Sequence, residues 1–552
     1  MKQMLHISAD AQGKFTVSAF GEVWLECPAM IAVDTNGERD GDDRFVPVMA
    51  YERREEDGKI LHIWRTHSNL WARKEYVLEV TESAARFFVR VEGEGRVDAL
   101  RFFGCQAKYE AAEYLLPVAN HADYSRNLRM ITESGVIELG YFTPPCYVYP
   151  FHMAGCGGWL GVGLAARAGQ YNFHQFLYRN EKDRCGFEAP LYGQTTVDGA
   201  WESQSLLFVT GGDAYDAVRA YAQWHYDAGW CVRKDRSREP DWWLRPLFCG
   251  WGEQEALRQK SGAARPCDHA TQKDYTWMSE KLDEYGLRPG CIIIDDKWQK
   301  EYGGALPDPE KWPDLRTFTD AEHRKGRRVA LWFRSWYPEG LSQEECIEYL
   351  CTACGADPTS EKYRARMREA IHTLLSDEAG CYNCDGFKID FANCMPLGKY
   401  VSCHEQGVYG VELLKRFFTM MRDFAKAVKP DALINCSCAH PYFDEIVDQA
   451  RIHDYWGTMR NAPEGMAHRA KLCGAAMENV LIDTDAGGIG SRRDFRRWMK
   501  TQPELGIPDL YYLTAAGDVP FDEADIALIR DLWERYEADR RGAGGARGGK
   551  DQ

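Results

Sequence analysis

A β-sandwich followed by a (β/α)8 TIM barrel is the architecture that three features of this 552-residue sequence predict. Short aromatic and β-branched runs, separated by Gly, Asp and Asn, fill residues 1–212. Strand and helix patterns then alternate eight times beyond residue 240. Polar residues recur where those later strands end, which is the face on which barrels carry their chemistry.

The N-terminal runs include Phe15 to Leu25, Ile60 to Thr66, Tyr76 to Val80, Ala85 to Val91, Val136 to Phe142, Tyr147 to Phe151 and Leu206 to Thr210. Their spacing is that of antiparallel strands. Residues 213–240 switch to helical spacing, with Tyr215, Val218, Tyr221 and Ala222 on one face, and end in a charged stretch that reads as a connector. The barrel is expected over 241–540, and the Gly-rich 541–552 is expected as a disordered tail.

Barrel strands are predicted at Leu247 to Gly252, Cys291 to Trp298, Arg328 to Trp336, Asp385 to Phe391, Ala432 to Cys438, Arg451 to Gly457, Val480 to Gly487 and Ile507 to Thr514. Helices are predicted at Thr271 to Tyr285, Leu315 to Lys325, Ser360 to Ser376, Val408 to Val428, Tyr442 to Ala450, Gly465 to Met477, Arg492 to Thr501 and Glu523 to Tyr536. Eight such units over about 300 residues match the size of one barrel.

Composition narrows the partners. A formal charge of −16 argues against nucleic acid or an anionic membrane, both of which need basic patches. Eighteen Trp suit surfaces that stack on sugar rings, so a carbohydrate substrate is the expected partner; oligomeric state is not legible. The first ten residues lack the apolar core of a signal peptide, and no apolar run reaches about 18 residues, so a cytoplasmic location is expected. Nineteen scattered Cys fit reduced thiols. Cys351/Cys354 and Cys381/Cys384 have C-x-x-C spacing, but the predicted helix between them is about 25 Å long, which argues against a shared zinc site. No metal or organic cofactor is expected.

The central stretch is Asp385-Gly386-Phe387-Lys388-Ile389-Asp390-Phe391. Alternation puts Lys388 and Asp390 on one strand face, where the ammonium would favour an ionised carboxylate, as a nucleophile requires. Asp295-Asp296-Lys297-Trp298 ends strand 2, and adjacent carboxylates repel unless donors such as sugar hydroxyls separate their charges. Trp332 and Arg334 end strand 3, Cys436 ends strand 5, and Asp485 ends strand 7; Asp483 and Asp494 read as helix N-caps. Arg451, His453 and Asp454 end strand 6. Asp454, beside Tyr455 and Trp456, suits a carboxyl kept protonated, and with Asp390 it forms the carboxylate pair of glycoside hydrolysis. Asp448 is the rival, but it lies at the opposite end of the barrel.

These motifs resemble the α-galactosidase clan, and most closely glycoside hydrolase family 36 with its raffinose-synthase relatives; families 27 and 31 are related. Asp295-Asp296-Lys297-Trp298 resembles the family's Asp-Asp-Gly-Trp segment, whose carboxylates bind sugar hydroxyls. Ala356 to Ser360 resembles the stretch before the helix leading to the nucleophile strand. Phe387-Lys388-Ile389-Asp390 resembles the nucleophile strand, and Ala450 to Tyr455 the segment carrying Arg and the acid/base Asp.

The resemblance implies a retaining α-glycosidase, most closely an α-galactosidase, with Asp390 as nucleophile and Asp454 as acid/base. Asp295, Asp296, Trp298, Trp332, Arg334, Lys388, Cys436, Arg451, His453 and Asp485 would contact the sugar. Lys297, where the family has Gly, adds a positive charge that suits a modified or acidic sugar. Cys436-Ser437-Cys438-Ala439-His440-Pro441 replaces the family's Gly-rich run and alters recognition around the sugar's 2-position. The alternatives are an α-glycosyl transferase, a glycosidase for another α-linked sugar, and a non-catalytic carbohydrate-binding protein.

Overall fold

The computed structural model describes residues 5–41, 47–117, 127–140, 143–452, 462–485, 487–517 and 519–547. Its N-terminal part is one large antiparallel sheet that folds over itself into a sandwich. Two long strands, Ala85–Tyr109 and Arg184–Glu202, pair along most of their length and carry the bend through register shifts, one of them between Pro190 and Thr195. The enclosed core is aromatic, with Trp24, Trp64, Tyr149 and Phe187 buried within it.

The connector forms helix α1, Ala214–Asp227, capped by the Asp213 carboxylate. Its buried face carries Val218, Tyr221 and Ala222, as the periodicity predicts.

Eight parallel strands follow: β1 Leu247–Cys249, β2 Cys291–Ile294, β3 Arg328–Arg334, β4 Gly386–Asp390, β5 Leu433–Cys436, β6 Gln449–Arg451, β7 Leu481–Asp483 and β8 Asp509–Leu510. Each pairs with the next up to β7, β8 pairs back to β1, and an Asp483–Ile507 bridge closes the ring. The strands are short and apolar because both faces are covered; Ile292, Ile293 and Ile294 are all buried, each worth about 1.5–3 kcal/mol. Gly386 has φ +149°, and a Cβ there would meet Leu433 N at 2.4 Å, so β4 and β5 can approach only with glycine at this point.

The helices are α2 Trp251–Ser261, α3 Gln272–Glu284, α4 Leu315–Arg324, α5 Glu361–Leu375, α6 Val411–Val428, α7 Ala462–Ala476, α8 Arg492–Leu505 and α9 Glu523–Arg547. Three corrections emerge. Helix α2 is an addition the apolar pattern does not signal. The helix expected over Tyr442 to Ala450 is a single 3-10 turn, Pro441–Phe443, because Asp444 is held by Arg236 and Tyr226 and Asp448 by Lys234 and Lys426. The tail expected from 541 begins as helix, since α9 runs to Arg547.

Cys351 and Cys354 lie before α5, with Cys354 on a hairpin strand, and Cys381 and Cys384 lie after it, as the spacing predicts. Among the described residues, no helix is long and apolar enough to cross a membrane.

Candidate active site

At the C-terminal mouth of the barrel the strand ends place two layers of charge. The lower layer centres on Lys388. Its ammonium contacts Asp295 Oδ2 at 2.9 Å, Tyr511 OH at 2.9 Å and Cys249 Sγ at 3.2 Å, and it is 2% exposed. Burial disfavours the charge, but Asp295 and Cys249 outweigh it and hold Lys388 above its ordinary value. The cation beside the central strand's carboxylate is therefore different from the sequence expectation. Lys388 neutralises Asp295, one layer down, and Asp390 is matched by an arginine.

That arginine is Arg451, which bridges Asp390 Oδ1 at 2.6 Å and Asp485 Oδ2 at 2.7 Å. Asp390 also accepts from Trp332 Nε1 at 3.1 Å and from the Phe391 backbone N–H at 2.8 Å. Burial pushes Asp485 up, while Arg451 and Lys388 pull it below the usual carboxylate range. Asp485 sits at φ 36° and accepts from Gly487 N at 2.9 Å, so its backbone turns the carboxylate toward Arg451.

The adjacent pair Asp295-Asp296 resolves its repulsion by diverging. Asp295 takes Lys388, while Asp296 accepts from Tyr302 OH at 2.7 Å. Burial, with the charges of Asp295 and Asp390, pushes Asp296 up to about 6 against the Tyr302 hydrogen bond and Arg334. Lys297 occupies the left-handed conformation, φ 67°, that the glycine of the similar motif would adopt without strain. Its ammonium is paired with Glu339 at 2.6 Å and lies over the Tyr302 ring.

Arg334 and Trp332 share the inward face of β3, since Arg334 pairs in register with Asp390 and Trp332 with Lys388. Two other expected sugar contacts are not in the pocket. Trp298 is fully buried, donating to the Trp332 carbonyl at 2.7 Å, so it supports the wall from behind. Cys436 pairs in register with Ile389 and Ala450, on the face opposite Lys388, and is fully buried.

His440 is likewise absent from the pocket; it is buried among Tyr147, Tyr171, Tyr221 and His225, where burial lowers its pKa well below the usual range. Asp483 does not cap a helix. It accepts from Asn435 and from Asp485 N, while Ser491 caps α8 with Asp494 bonded back to it. His453 and Asp454 lie outside the described residues.

Sequence reasoning missed Cys249, Tyr302, Asn435 and Tyr511. Asn435 and Cys249 are strand-end residues whose parity, counted from Lys388, could have found them; Tyr302 comes from a loop and carried no periodic signal.

The architecture of a sandwich joined to a barrel is shared with solved structures. The chain aligns over 96% of its length, at TM-score 0.61 and 11% identity, with 82% of a glycoside hydrolase family 31 sulfoquinovosidase from E. rectale solved with an aza-sugar inhibitor. It also aligns with a cycloalternan-degrading enzyme from Trueperella pyogenes (TM-score 0.54, 12% identity, 96% of this chain and 83% of that one). A third is the cycloalternan-forming enzyme from Listeria monocytogenes (TM-score 0.56, 11% identity, 94% of this chain). The chain spans about half the length of that enzyme, 56%. No family model and no curated protein matches the sequence.

Proposed function

We propose that this protein is a retaining α-glycosidase of the α-galactosidase clan, acting on a terminal α-linked sugar, with an α-galactoside as the first candidate. The observation that carries the reading is Asp390. It stands at the end of β4 with its carboxylate held by a guanidinium, an indole N–H and a backbone N–H, in the part of the barrel where substrates are met.

These donors hold the Asp390 carboxylate in one orientation, from which it can attack the anomeric carbon. Asp454, three residues past the end of β6, would protonate the leaving oxygen and then activate the water that releases the sugar. Asp296 and the Asp295–Lys388 pair would take the sugar hydroxyls, and Trp332 would supply a flat wall. Arg451 and Asp485 would fix the Asp390 carboxylate.

Incubation with a fluorinated α-galactosyl donor, followed by peptide mapping, is expected to find the sugar on Asp390. Hydrolysis that survives in Asp390→Ala, with no adduct in the parent protein, would sink the mechanism. A panel of aryl α-glycosides then identifies the sugar, and product analysis with an added sugar acceptor separates hydrolysis from transfer.

A further inference from the structure

Arg334 is the last residue of β3 and faces the mouth beside Asp390. Its guanidinium carbon lies 4.2 Å from the Tyr337 ring centre, 4.7 Å from Phe391 and 5.0 Å from Tyr302. Among the described residues no carboxylate oxygen comes within 4 Å of it. The neighbouring acids already have donors: Asp296 has Tyr302, Glu339 has Lys297 and the Tyr302 backbone N–H, and Asp390 has Arg451 and Trp332.

The charge that the sequence places near the pocket at Lys297 is thus neutralised, and Arg334 is the cation left without an ion pair at the mouth, among the described residues. Arg334 is half-buried, and the rings on several sides orient the guanidinium plane, so that the donors of the fork not turned to the Tyr302 hydroxyl can meet a planar or trigonal anion. A neutral sugar would leave the charge without a counter-ion, whereas a carboxylate or sulfonate would take those donors in paired charge-assisted hydrogen bonds. The same guanidinium offsets the repulsion such an anion would meet from Asp296 and Asp390.

We propose that Arg334, caged by Tyr302, Tyr337 and Phe391, is a specificity residue that selects a sugar bearing an anionic substituent, a carboxylate or a sulfonate. The inference rests on the α-glycosidase reading above.

The test compares matched 4-nitrophenyl α-glycosides: the galactoside with the galacturonide, the glucoside with the glucuronide, and the glucoside with its 6-deoxy-6-sulfonate. At least one charged member is expected to exceed its neutral counterpart by about tenfold or more in kcat/KM, through KM, with the preference shrinking as salt is added. The carboxylate and sulfonate arms identify the anion.

Arg334→Met, which keeps the length and apolar contact of the side chain, is expected to erase the charged-to-neutral ratio; Arg334→Lys is expected to restore part of it. Turnover of neutral glycosides with no charge preference, or a preference unchanged in Arg334→Met, overturns this inference and leaves the glycosidase reading standing. If every glycoside is inert and the fluorinated donor leaves Asp390 unlabelled, the glycosidase reading falls and takes this inference with it.

Discussion

Strand β4 is flanked by an aspartate before it and ends in another, and the two are handled in opposite ways. Asp385, at the N-terminal end, is 1% exposed and is met by His323, the Val329 backbone N–H, Lys429 and Arg328. Asp390, at the C-terminal end, is 13% exposed, and its donors leave it facing the mouth. The same residue type is tied on several sides at one end and left facing the mouth at the other. What separates them is position along the strand, because only one end of a parallel barrel opens onto the pocket.

Substitution at each end of β4 separates the two aspartates. Asp390→Asn is expected to lower kcat by more than about 10⁴-fold, the scale seen when a nucleophile is lost, while keeping the acceptor for Trp332. Its unfolding free energy, read by denaturant titration, should change little, by less than about 1 kcal/mol.

Asp385→Asn is expected to do the reverse. Removing a buried charge that several cations share should cost about 3 kcal/mol of stability, read by denaturant titration. kcat/KM of the protein that remains folded should stay near that of the parent. Comparable losses of activity in both variants would dissolve the distinction.

Asp296→Asn is a smaller perturbation. Loss of a charged acceptor for a sugar hydroxyl should raise KM by about tenfold or more. In the parent, KM should fall as pH rises through about 6, since the carboxylate form develops there; the variant should lack that inflection. The native state also holds this proton longer than the unfolded chain, so Asp296 makes the fold less stable as pH climbs from about 4 to about 6.

Asp385 has the opposite sign. Burial raises its pKa, but His323 and Lys429 pull it below the ordinary value. Its stabilisation is complete above about pH 4 and is lost as pH falls through the lowered value. Acid unfolding of Asp385→Asn should therefore be flatter than that of the parent, and a parallel pair of curves would exclude the assignment.

The sequence carried the barrel clearly because parallel strands buried on both faces read as short apolar runs, and Asp390, Lys388, Arg451 and Asp485 fall on their ends. It misjudged contacts that depend on which layer a side chain reaches. Lys388 and Asp390 share a face, as alternation requires, yet two residues along the strand separate them enough for each to find a different partner. Trp298 and Cys436 sit next to pocket residues in sequence and point elsewhere, a distinction that needs the register of neighbouring strands. Tyr302 and Tyr337 come from loops, where no period exists to read. The missing helix between β5 and β6 was illegible for a similar reason: its place is taken by residues more than two hundred positions upstream.

That replacement bears on how the protein can be cut. Helix α1 lies against the 441–443 turn and α7, through Tyr226 to Asp444, Tyr215 to His468 and Tyr221 beside His440, and the same Tyr221 donates to the Leu164 carbonyl of the sandwich. The outer ring of the barrel is thus completed by a piece of chain made before the barrel begins. A gene fragment starting at residue 241 would encode all eight strands and still lack the contacts that α1 makes with the 441–443 turn and α7.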